Sequence, residues 1–291
     1  MKKYREIEEV LSPTSSHMVG DGFKVVNYLP NGENFGDRMN PFILMDFNPE
    51  FNFSPTDEPR GVGIHPHRGF ETVTVAYKGS VAHNDSTGNS GVINPGDVQW
   101  MTAASGILHK EYHEKEFAKK GGSFEMAQIW VNLPKKYKMT APKYQAVLHN
   151  QKGKVKIESG LGNVLVIAGE YKGVKGAAKT FSPIEMYDIR LDENGETDLN
   201  LPASFNTGLL IVEGEILING NTTAAAHQYV QFKNEEGNIE IKATKKSVLL
   251  LLSGEPINEP IASYGPFVMN TIEEIQEAVD DFNHGKFGKI S

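Results

Sequence analysis

The sequence contains no cysteine, which excludes disulfide bonds, thiolate catalysis and cysteine-ligated metal sites. Long apolar runs are also missing. The longest, SVLLLLS at 247–253, is far shorter than the roughly 20 apolar residues that a helix needs to cross a bilayer. The first twenty residues contain no apolar core of a signal peptide. From these absences we expect a cytoplasmic protein that does not associate with a membrane.

Basic charge and phosphate-binding motifs are scarce as well. The 29 lysines and arginines are outnumbered by 37 aspartates and glutamates, which gives a formal net charge of −8. An acidic protein has no electrostatic reason to bind a phosphate backbone, so we expect no direct contact with nucleic acid. The pair Gly160-x-Gly162 lacks the third glycine of the dinucleotide-binding fingerprint and precedes an apolar run instead of following one.

Short apolar runs separated by turn residues make up most of the chain. The runs ETVTVAYKGS (71–80), GVINPGDVQWM (91–101) and TGLLIVEGEILINGN (207–221) are typical examples. β-Branched residues are frequent in them, and glycine, proline, asparagine or aspartate interrupts each one. This pattern predicts an all-β fold, a sandwich or barrel of many short strands.

Segment 270–288 departs from the strand pattern. Its apolar residues recur at helical spacing and share one face: Ile272, Ile275, Val279 and Phe282. Thr271 and Glu274 form the sequence signature of a capping box, and Gly285 is a suitable stop. The segment therefore predicts a C-terminal amphipathic helix that packs on a barrel.

The two halves of the chain resemble each other. Residues 72–81 align with 207–216, and residues 95–100 align with 227–232, at offsets of 135 and 132 positions. Two matches in nearly one register indicate a duplicated barrel. We predict an N-terminal barrel over 1–145 and a C-terminal barrel, followed by the helix, over 146–291.

His65 and His67 are the first candidate site residues. Residues two apart on a strand point to the same face, so both imidazoles would project together, close enough to bind one metal ion. Pro66 donates no backbone hydrogen bond, which places it at the start of a strand or on a sheet edge. A lone His-x-His pair arises by chance often enough that two hydrogen-bonded surface histidines remain the alternative interpretation.

A second pair, His109 and Glu111, has the same spacing. Imidazole and carboxylate together suit iron, manganese, nickel, copper or zinc, and three histidines with one carboxylate leave positions open for substrate or oxygen. Glu71 competes for the carboxylate role, because it shares the parity of His65 and His67. Gly69 can break that alternation, and the residues alone do not decide between Glu71 and Glu111.

The string from His65 to Glu111, HPHRGFETVTVAYKGSVAHNDSTGNSGVINPGDVQWMTAASGILHKE, resembles the signature of the pirin family of the cupin superfamily. The resemblance continues through QIWVNLPKKYKMTAPKYQ (128–145) and the C-terminal SGEPINEPIASYGPFVMNTIEEIQEAVDDFNHGKFG (253–288). It implies a bicupin, with a metal-binding cupin barrel over 1–145 and a degenerate cupin barrel over 146–291.

The resemblance also implies a ligand set for one divalent metal ion. The family's ligands map to His65, His67, His109 and Glu111, which leaves Glu71 as an alternative ligand or a hydrogen-bonding neighbour of the site. Iron(II) is the favoured ion, with manganese, nickel, copper, cobalt and zinc as alternatives.

The C-terminal half lacks a matching ligand set. At the offsets above, the two ligand pairs fall on Asn200 with Pro202 and on Ile241 with Ala243, and Glu71 falls on Asn206. We therefore predict that the C-terminal barrel binds no metal.

Two functions follow from the resemblance. The first is a dioxygenase that opens flavonols such as quercetin with oxygen, in which Glu111 is both a ligand and the base that takes the substrate's hydroxyl proton. A flat aromatic substrate needs apolar walls, for which Phe70, Trp100 and Met101 are candidates. The second is a metal- or redox-responsive regulator that acts through protein partners without turnover.

Overall fold

The computed structural model describes residues 3–29 and 38–290. It divides the chain into two compact units. One unit contains most of the first half, residues 14–29 and 42–149, together with residues 257–290, and is called the N-terminal barrel here. The other contains residues 3–13, 38–41 and 150–256, and is called the C-terminal barrel.

Short strands dominate the first half of the chain, as the turn pattern predicts. In chain order they are β1 (Ile7–Leu11), β2 (His17–Val19), β3 (Phe23–Leu29), β4 (Phe42–Phe53), β5 (Gly61–His67), β6 (Phe70–Lys78), β7 (Val81–Asp85), β8 (Ser90–Ile93), β9 (Val98–Thr102), β10 (Ile107–His113), β11 (Gly122–Asn132) and β12 (Lys143–Val147). Helix α1 (Lys115–Lys120) follows β10, and 3₁₀ turns occupy Lys135–Tyr137 and His149–Gln151.

The second half continues in the same way and ends in a helix. Its strands are β13 (Gly153–Lys156), β14 (Gly162–Ala168), β15 (Glu170–Tyr171), β16 (Val174–Lys175), β17 (Ile184–Leu191), β18 (Glu196–Asn200), β19 (Asn206–Glu213), β20 (Glu215–Ile218), β21 (Thr222–Ala225), β22 (Tyr229–Phe232), β23 (Asn238–Ala243), β24 (Ser247–Gly254), β25 (Ala262–Tyr264) and β26 (Phe267–Met269). The final element is helix α2 (Ile272–Asn283). No helix in the described ranges is long and apolar enough to cross a membrane.

Both barrels are built from a seven-stranded and a four-stranded sheet. The strand orders are β12-β9-β6-β11-β4-β3-β2 with β5-β10-β7-β8 in the N-terminal barrel, and β1-β22-β19-β24-β17-β14-β13 with β18-β23-β20-β21 in the C-terminal barrel. The segments that the sequence aligns, β6 with β19 and β9 with β22, occupy equivalent places in these orders. The predicted all-β fold of two cupin-type barrels is confirmed, and the internal similarity corresponds to a shared topology.

The two units do not divide the chain at a single position near residue 145, because each contains segments from both halves. Strand β1 pairs with β22, so the first described residues complete the seven-stranded sheet of the C-terminal barrel. Helix α2 belongs to the N-terminal barrel, where Ile275 and Ala278 pack in an apolar cluster with Phe267 and Leu108. Each terminus is therefore held by pairing or packing that is distant in sequence, which no local pattern records.

The C-terminal helix confirms most of its prediction. Thr271 caps it, and Glu274 completes the capping box. The predicted apolar face is only partly buried, because Ile275 is 5% exposed whereas Ile272 is 59% exposed. Ile272 lies in the first turn of the helix and projects beyond the cluster that covers Ile275.

Gly69 separates the two strands that carry the first candidate residues. It lies between β5 and β6, which belong to different sheets, and its φ of +91° is in the left-handed region. A Cβ at this position would lie 1.9 Å from the carbonyl oxygen of Val268. The chain turns here from one sheet to the other, so the alternation that begins at His65 and His67 does not continue to Glu71.

This geometry predicts that Gly69→Ala destabilises the N-terminal barrel more than Gly88→Ala. Both glycines have φ near +90°, but a Cβ on Gly88 meets nothing within 4 Å. Each substitution should lower the free energy of unfolding by about 1–3 kcal/mol, because alanine is strained at this backbone conformation. The contact with Val268 should lower it by about 1–3 kcal/mol more in Gly69→Ala. Urea unfolding followed by tryptophan fluorescence measures this, because both tryptophans, Trp100 and Trp130, lie in the N-terminal barrel. Equal losses in the two variants would contradict the close approach at Gly69.

Candidate metal centre

Two antiparallel strands bring three histidines together. Strand β10 pairs with β5 so that His109 lies opposite His65, and His67 follows two residues later on the same face of β5. The imidazole centroids are 4.2 Å apart for His65 and His109, 4.7 Å for His67 and His109, and 4.8 Å for His65 and His67. Their ligand nitrogens all lie within 4.8 Å of one another, a spacing that can hold one metal ion.

Pro66 lies on an edge strand, which suits a residue without a backbone N–H. Strand β5 is the outer strand of the four-stranded sheet, with β10 on its only hydrogen-bonded side among the described strands. A proline is tolerated on such an edge because the missing N–H would point away from the ladder. The two flanking imidazoles therefore remain on one face, as the sequence predicts.

The protonation and hydrogen bonding of the cluster fit a metal. Both ring nitrogens of His109, and Nδ1 of His67, are buried without a hydrogen-bond partner in the described part of the chain. Burial lowers the pKa of His67 and of His109 well below the usual value, which keeps both rings neutral, the form that binds metal. Nδ1 of His65 donates to the carbonyl oxygen of Gly63 at 2.8 Å, which orients the ring and leaves Nε2 free to coordinate.

Glu111 is buried beside the histidines in the same barrel interior. It follows His109 on the buried face of β10, and a β-bulge in the pairing with β5 lies between the two residues. Its Oε2 accepts a hydrogen bond of 2.9 Å from Nε2 of Gln128, and its Oε1 lies 3.5 Å from the hydroxyl of Thr74. Burial raises its pKa, an effect that the neighbouring His65 and these hydrogen bonds oppose.

Glu71 lies on a different sheet and faces the other way. Thr74 points from β6 toward Glu111, so Glu71, at odd spacing from Thr74, lies on the opposite face of β6. Its carboxylate accepts a hydrogen bond of 2.6 Å from the hydroxyl of Thr102, and burial raises its pKa to about 7. The turn at Gly69 separates this carboxylate from the histidine cluster.

A cavity of about 300 Å³ opens beside the cluster. The residues that line it are Val19, Phe23, Val25, Asp46, Asn48, Val62, His65, His67, Glu111, Met126, Gln128, Trp130 and Pro266. The ring of Trp130 lies 5.2 Å from that of His67 and forms part of the wall nearest to the histidines. The cavity combines an apolar lining with one candidate metal centre and a few polar groups, the usual composition of a small-molecule site.

The aromatic and apolar residues predicted as walls do not line this cavity directly. Phe70, Trp100 and Met101 are fully buried, and none of the three is among the described residues that line this cavity. Phe70 stacks on Trp130, with ring centroids 4.3 Å apart, and its ring lies 5.1 Å from that of His67. Trp100 lies opposite Val73 in the ladder, on the face of the sheet that carries Glu71. Met101 packs in the core beside Ile107.

Strand β11 supplies the wall that sequence reasoning missed. Met126, Gln128 and Trp130 alternate along it and share the cavity-facing side. Their spacing is visible in MAQIWVNLP (126–134), and it marks them as one face. The sequence could not identify that face as the cavity side, because this depends on which strands β11 pairs with.

In the C-terminal barrel, the positions that correspond to the two candidate ligand pairs are apolar or exposed. Ile241 and Ala243 are fully buried in the apolar core of that barrel, and Asn200 and Pro202 are exposed. Across the described ranges, His65, His67 and His109 are the group of potential ligands that lies close enough to hold a metal. The metal-free state of the C-terminal barrel stays a prediction.

Comparisons with known proteins agree with this architecture. The model of the pirin family matches residues 20–131, and the model of the pirin C-terminal cupin domain matches residues 186–288. A Pseudomonas aeruginosa protein, provisionally named a quercetin 2,3-dioxygenase, is 42% identical over 283 residues, which are 97% of this chain and 98% of that protein. Human pirin is 37% identical over 256 residues, 86% of this chain and 84% of its own length.

A solved structure is also similar over the full length. The crystal structure of quercetin 2,3-dioxygenase from Acinetobacter baumannii superimposes with a TM-score of 0.93 at 45% identity, covering 99% of this chain and 100% of that one. Two cupin-type barrels with a histidine cluster in the first define a bicupin with a candidate metal centre. Within that class, the chain belongs to the pirin family.

The geometry predicts that His67→Ala loses most of its metal, whereas His149→Ala keeps the wild-type content. His67 supplies one of three converging imidazoles. Loss of a residue that only hydrogen-bonds to a ligand lowers metal affinity by about 10- to 100-fold, so loss of a ligand itself should lower it by about 100-fold or more. His149 is exposed and lies outside the cluster. Mass-spectrometric metal analysis of both variants, purified without added metal, measures the difference. Equal metal in the two would exclude these histidines as ligands.

Proposed function

We propose that this protein is a metal-dependent dioxygenase that opens flavonols such as quercetin with oxygen. His65, His67, His109 and Glu111 hold the metal ion in this proposal. The observation that carries it is the convergence of three imidazoles, of which those of His67 and His109 are buried, beside a cavity of about 300 Å³ lined in part by His65, His67 and Glu111. The names of the similar proteins from Pseudomonas aeruginosa and Acinetobacter baumannii support the same chemistry.

The ligand set leaves room for a substrate. His65, His67, His109 and Glu111 would hold the ion through three imidazoles and one carboxylate, a set that would leave coordination positions open for substrate and oxygen. A bound divalent ion lowers the pKa of a coordinated hydroxyl and orients the substrate beside oxygen. Iron(II) is our preferred ion, and manganese, nickel, copper, cobalt and zinc are also compatible with these ligands.

Glu111 is the group that accepts the flavonol's hydroxyl proton in this proposal. Its buried position raises its pKa, which makes it a stronger base than an exposed carboxylate. The hydrogen bond from Gln128 holds one carboxylate oxygen, so the other is available to the substrate or the metal. Thr74 lies near that second oxygen and restrains its orientation.

The apolar walls hold a flat substrate and exclude water. Phe23, Val25, Val62 and Trp130 surround the space next to the histidines. Trp130 is itself held in place by stacking on Phe70 at 4.3 Å. An aromatic ligand packed against such walls is desolvated, which strengthens every polar interaction inside the site.

The regulatory alternative stays a prediction. A groove beside helix α2, lined in part by Tyr264, Ile272 and Val279, is apolar and accessible. Nothing in the groove identifies the chemistry of a partner, so the enzymatic proposal is preferred. Metal-dependent binding of a protein partner without oxygen uptake on flavonol addition would favour the regulator.

Substitution of the two carboxylates tests the ligand assignment. Glu111→Gln should weaken metal binding by about 10- to 100-fold, because an amide is a poorer ligand than a carboxylate. Glu71→Gln keeps the hydrogen-bonding shape on the other face of β6 and should change metal affinity by less than about threefold. Isothermal titration with iron(II) or manganese(II) gives both affinities. A larger loss in Glu71→Gln than in Glu111→Gln would reverse the assignment.

Oxygen uptake tests the activity itself. Protein loaded with iron(II) should consume one molecule of oxygen for each quercetin that loses its absorbance, and His109→Ala should retain less than about 1% of that rate because the metal is lost. An oxygen electrode and an absorbance trace recorded together provide the ratio. His149→Ala is the control and should match the wild type. Quercetin loss at the same rate in His109→Ala would contradict catalysis at this centre.

A further inference from the structure

The cavity has a polar wall that the metal centre does not use. Strand β4 contributes Asp46 and Asn48, two residues apart and therefore on one face. Their ladder neighbours on β11 are Gln128 and Met126, which line the same cavity. A polar strip thus continues from Glu111 through Gln128 to Asp46 and Asn48, whereas most of the remaining lining is apolar.

Asn48 is the unusual member of this strip. It is 1% exposed, and neither its Nδ2 nor its Oδ1 has a hydrogen-bond partner within the described part of the chain. A buried carboxamide with no partner destabilises the fold, and more than nine in ten buried polar groups avoid this. Its position on a cavity wall means that the missing partner can come from a bound molecule. An amide offers both a donor and an acceptor, which matches a hydroxyl group.

Asp46 adds an acceptor beside it. One carboxylate oxygen accepts a hydrogen bond of 2.9 Å from Nδ2 of Asn27, which fixes the side chain against the wall. Burial raises the pKa of Asp46, and the hydrogen bond from Asn27 opposes this rise. Asp46 and Asn48 together present acceptors and a donor on a rigid strand, whereas Val25 and Phe23 provide the apolar contact around them.

We propose that Asn48, with Asp46 beside it, recognises a phenolic hydroxyl of the substrate other than the one bound at the metal centre. The inference rests on the proposed function and narrows it to polyhydroxylated flavonols. A flavonol that carries only the 3-hydroxyl and 4-carbonyl groups would leave Asn48 unpaired. A site built to pair a hydroxyl discriminates against the analogue that lacks it, because its own polar groups then stay buried without partners.

Binding of two flavonols to two matched variants tests this proposal. Quercetin carries hydroxyl groups on both aromatic rings, and 3-hydroxyflavone has only the 3-hydroxyl. Quenching of tryptophan fluorescence reports binding, since Trp130 lines the cavity. Metal-loaded wild type should bind quercetin about tenfold more tightly than 3-hydroxyflavone, and Asn48→Leu should remove most of that preference by weakening quercetin alone.

Asn52→Leu is the matched control. Asn52 lies on the same strand, is exposed and does not line the cavity, so the same chemical change there should leave both affinities at the wild-type value. The inference fails if Asn48→Leu keeps the tenfold preference, or if the wild type binds the two flavonols equally. Either result would mean that Asn48 does not recognise a hydroxyl, and the proposed function would still stand. Binding of neither flavonol by the metal-loaded wild type would overturn the proposed function and this inference with it.

Thermal stability separates substrate recognition from a structural role. Leucine has the same number of side-chain heavy atoms and the same branching as asparagine but no polar atoms, and the adjoining cavity has room for its larger volume. Asn48→Leu should therefore raise the unfolding temperature of the ligand-free N-terminal barrel by about 2–4 °C. Stabilisation by a substitution that weakens ligand binding is the expected behaviour of a residue kept for function. A fall in the unfolding temperature would mean that ordered water or the protein already satisfies Asn48, and the inference would be withdrawn.

Discussion

The antiparallel pairing of β5 with β10 is the constraint on which the candidate site depends. Placing His109 opposite His65, with His67 two residues along the same face of β5, brings three imidazoles together without any loop having to hold them. The bulge after His109 then adjusts the course of the strand before Glu111. Because side chains alternate, a shift of this pairing by one residue would turn the imidazoles to the other face and remove the site.

Burial gives these groups their chemistry and has a cost in stability. His67 and His109 are kept neutral because water is excluded from them, and the same burial raises the pKa of Glu111. Imidazole nitrogens and the amide of Asn48 remain without partners among the described residues. Buried polar groups without partners destabilise a fold, and they are tolerated where a metal ion or substrate supplies the missing interactions.

The fold and the histidine cluster could be predicted from local patterns, whereas the choice between Glu71 and Glu111 and the residues that line the cavity could not. Short runs ended by turn residues define the strands, and the i, i+2 spacing puts each pair of site residues on one face. Glu71 has the same parity in the sequence as His65 and His67, and the turn at Gly69 that redirects the chain before it has no unique sequence signature. Trp100 and Trp130 are equally apolar in sequence, but only Trp130 faces the cavity, because facing is set by sheet pairing. The pairing of β1 with β22, which places β1 in the C-terminal barrel, is likewise a long-range contact that no local pattern records.

Anomalous diffraction from a crystal of the metal-loaded protein tests the central claim most directly. Data collected on either side of the absorption edge of the bound ion locate it independently of any assumption about its ligands. We expect one anomalous peak in the N-terminal barrel, within coordination distance of His65, His67 and His109, with the carboxylate of Glu111 beside it. A peak bound at other residues, with the three imidazoles left free of metal, would contradict the account.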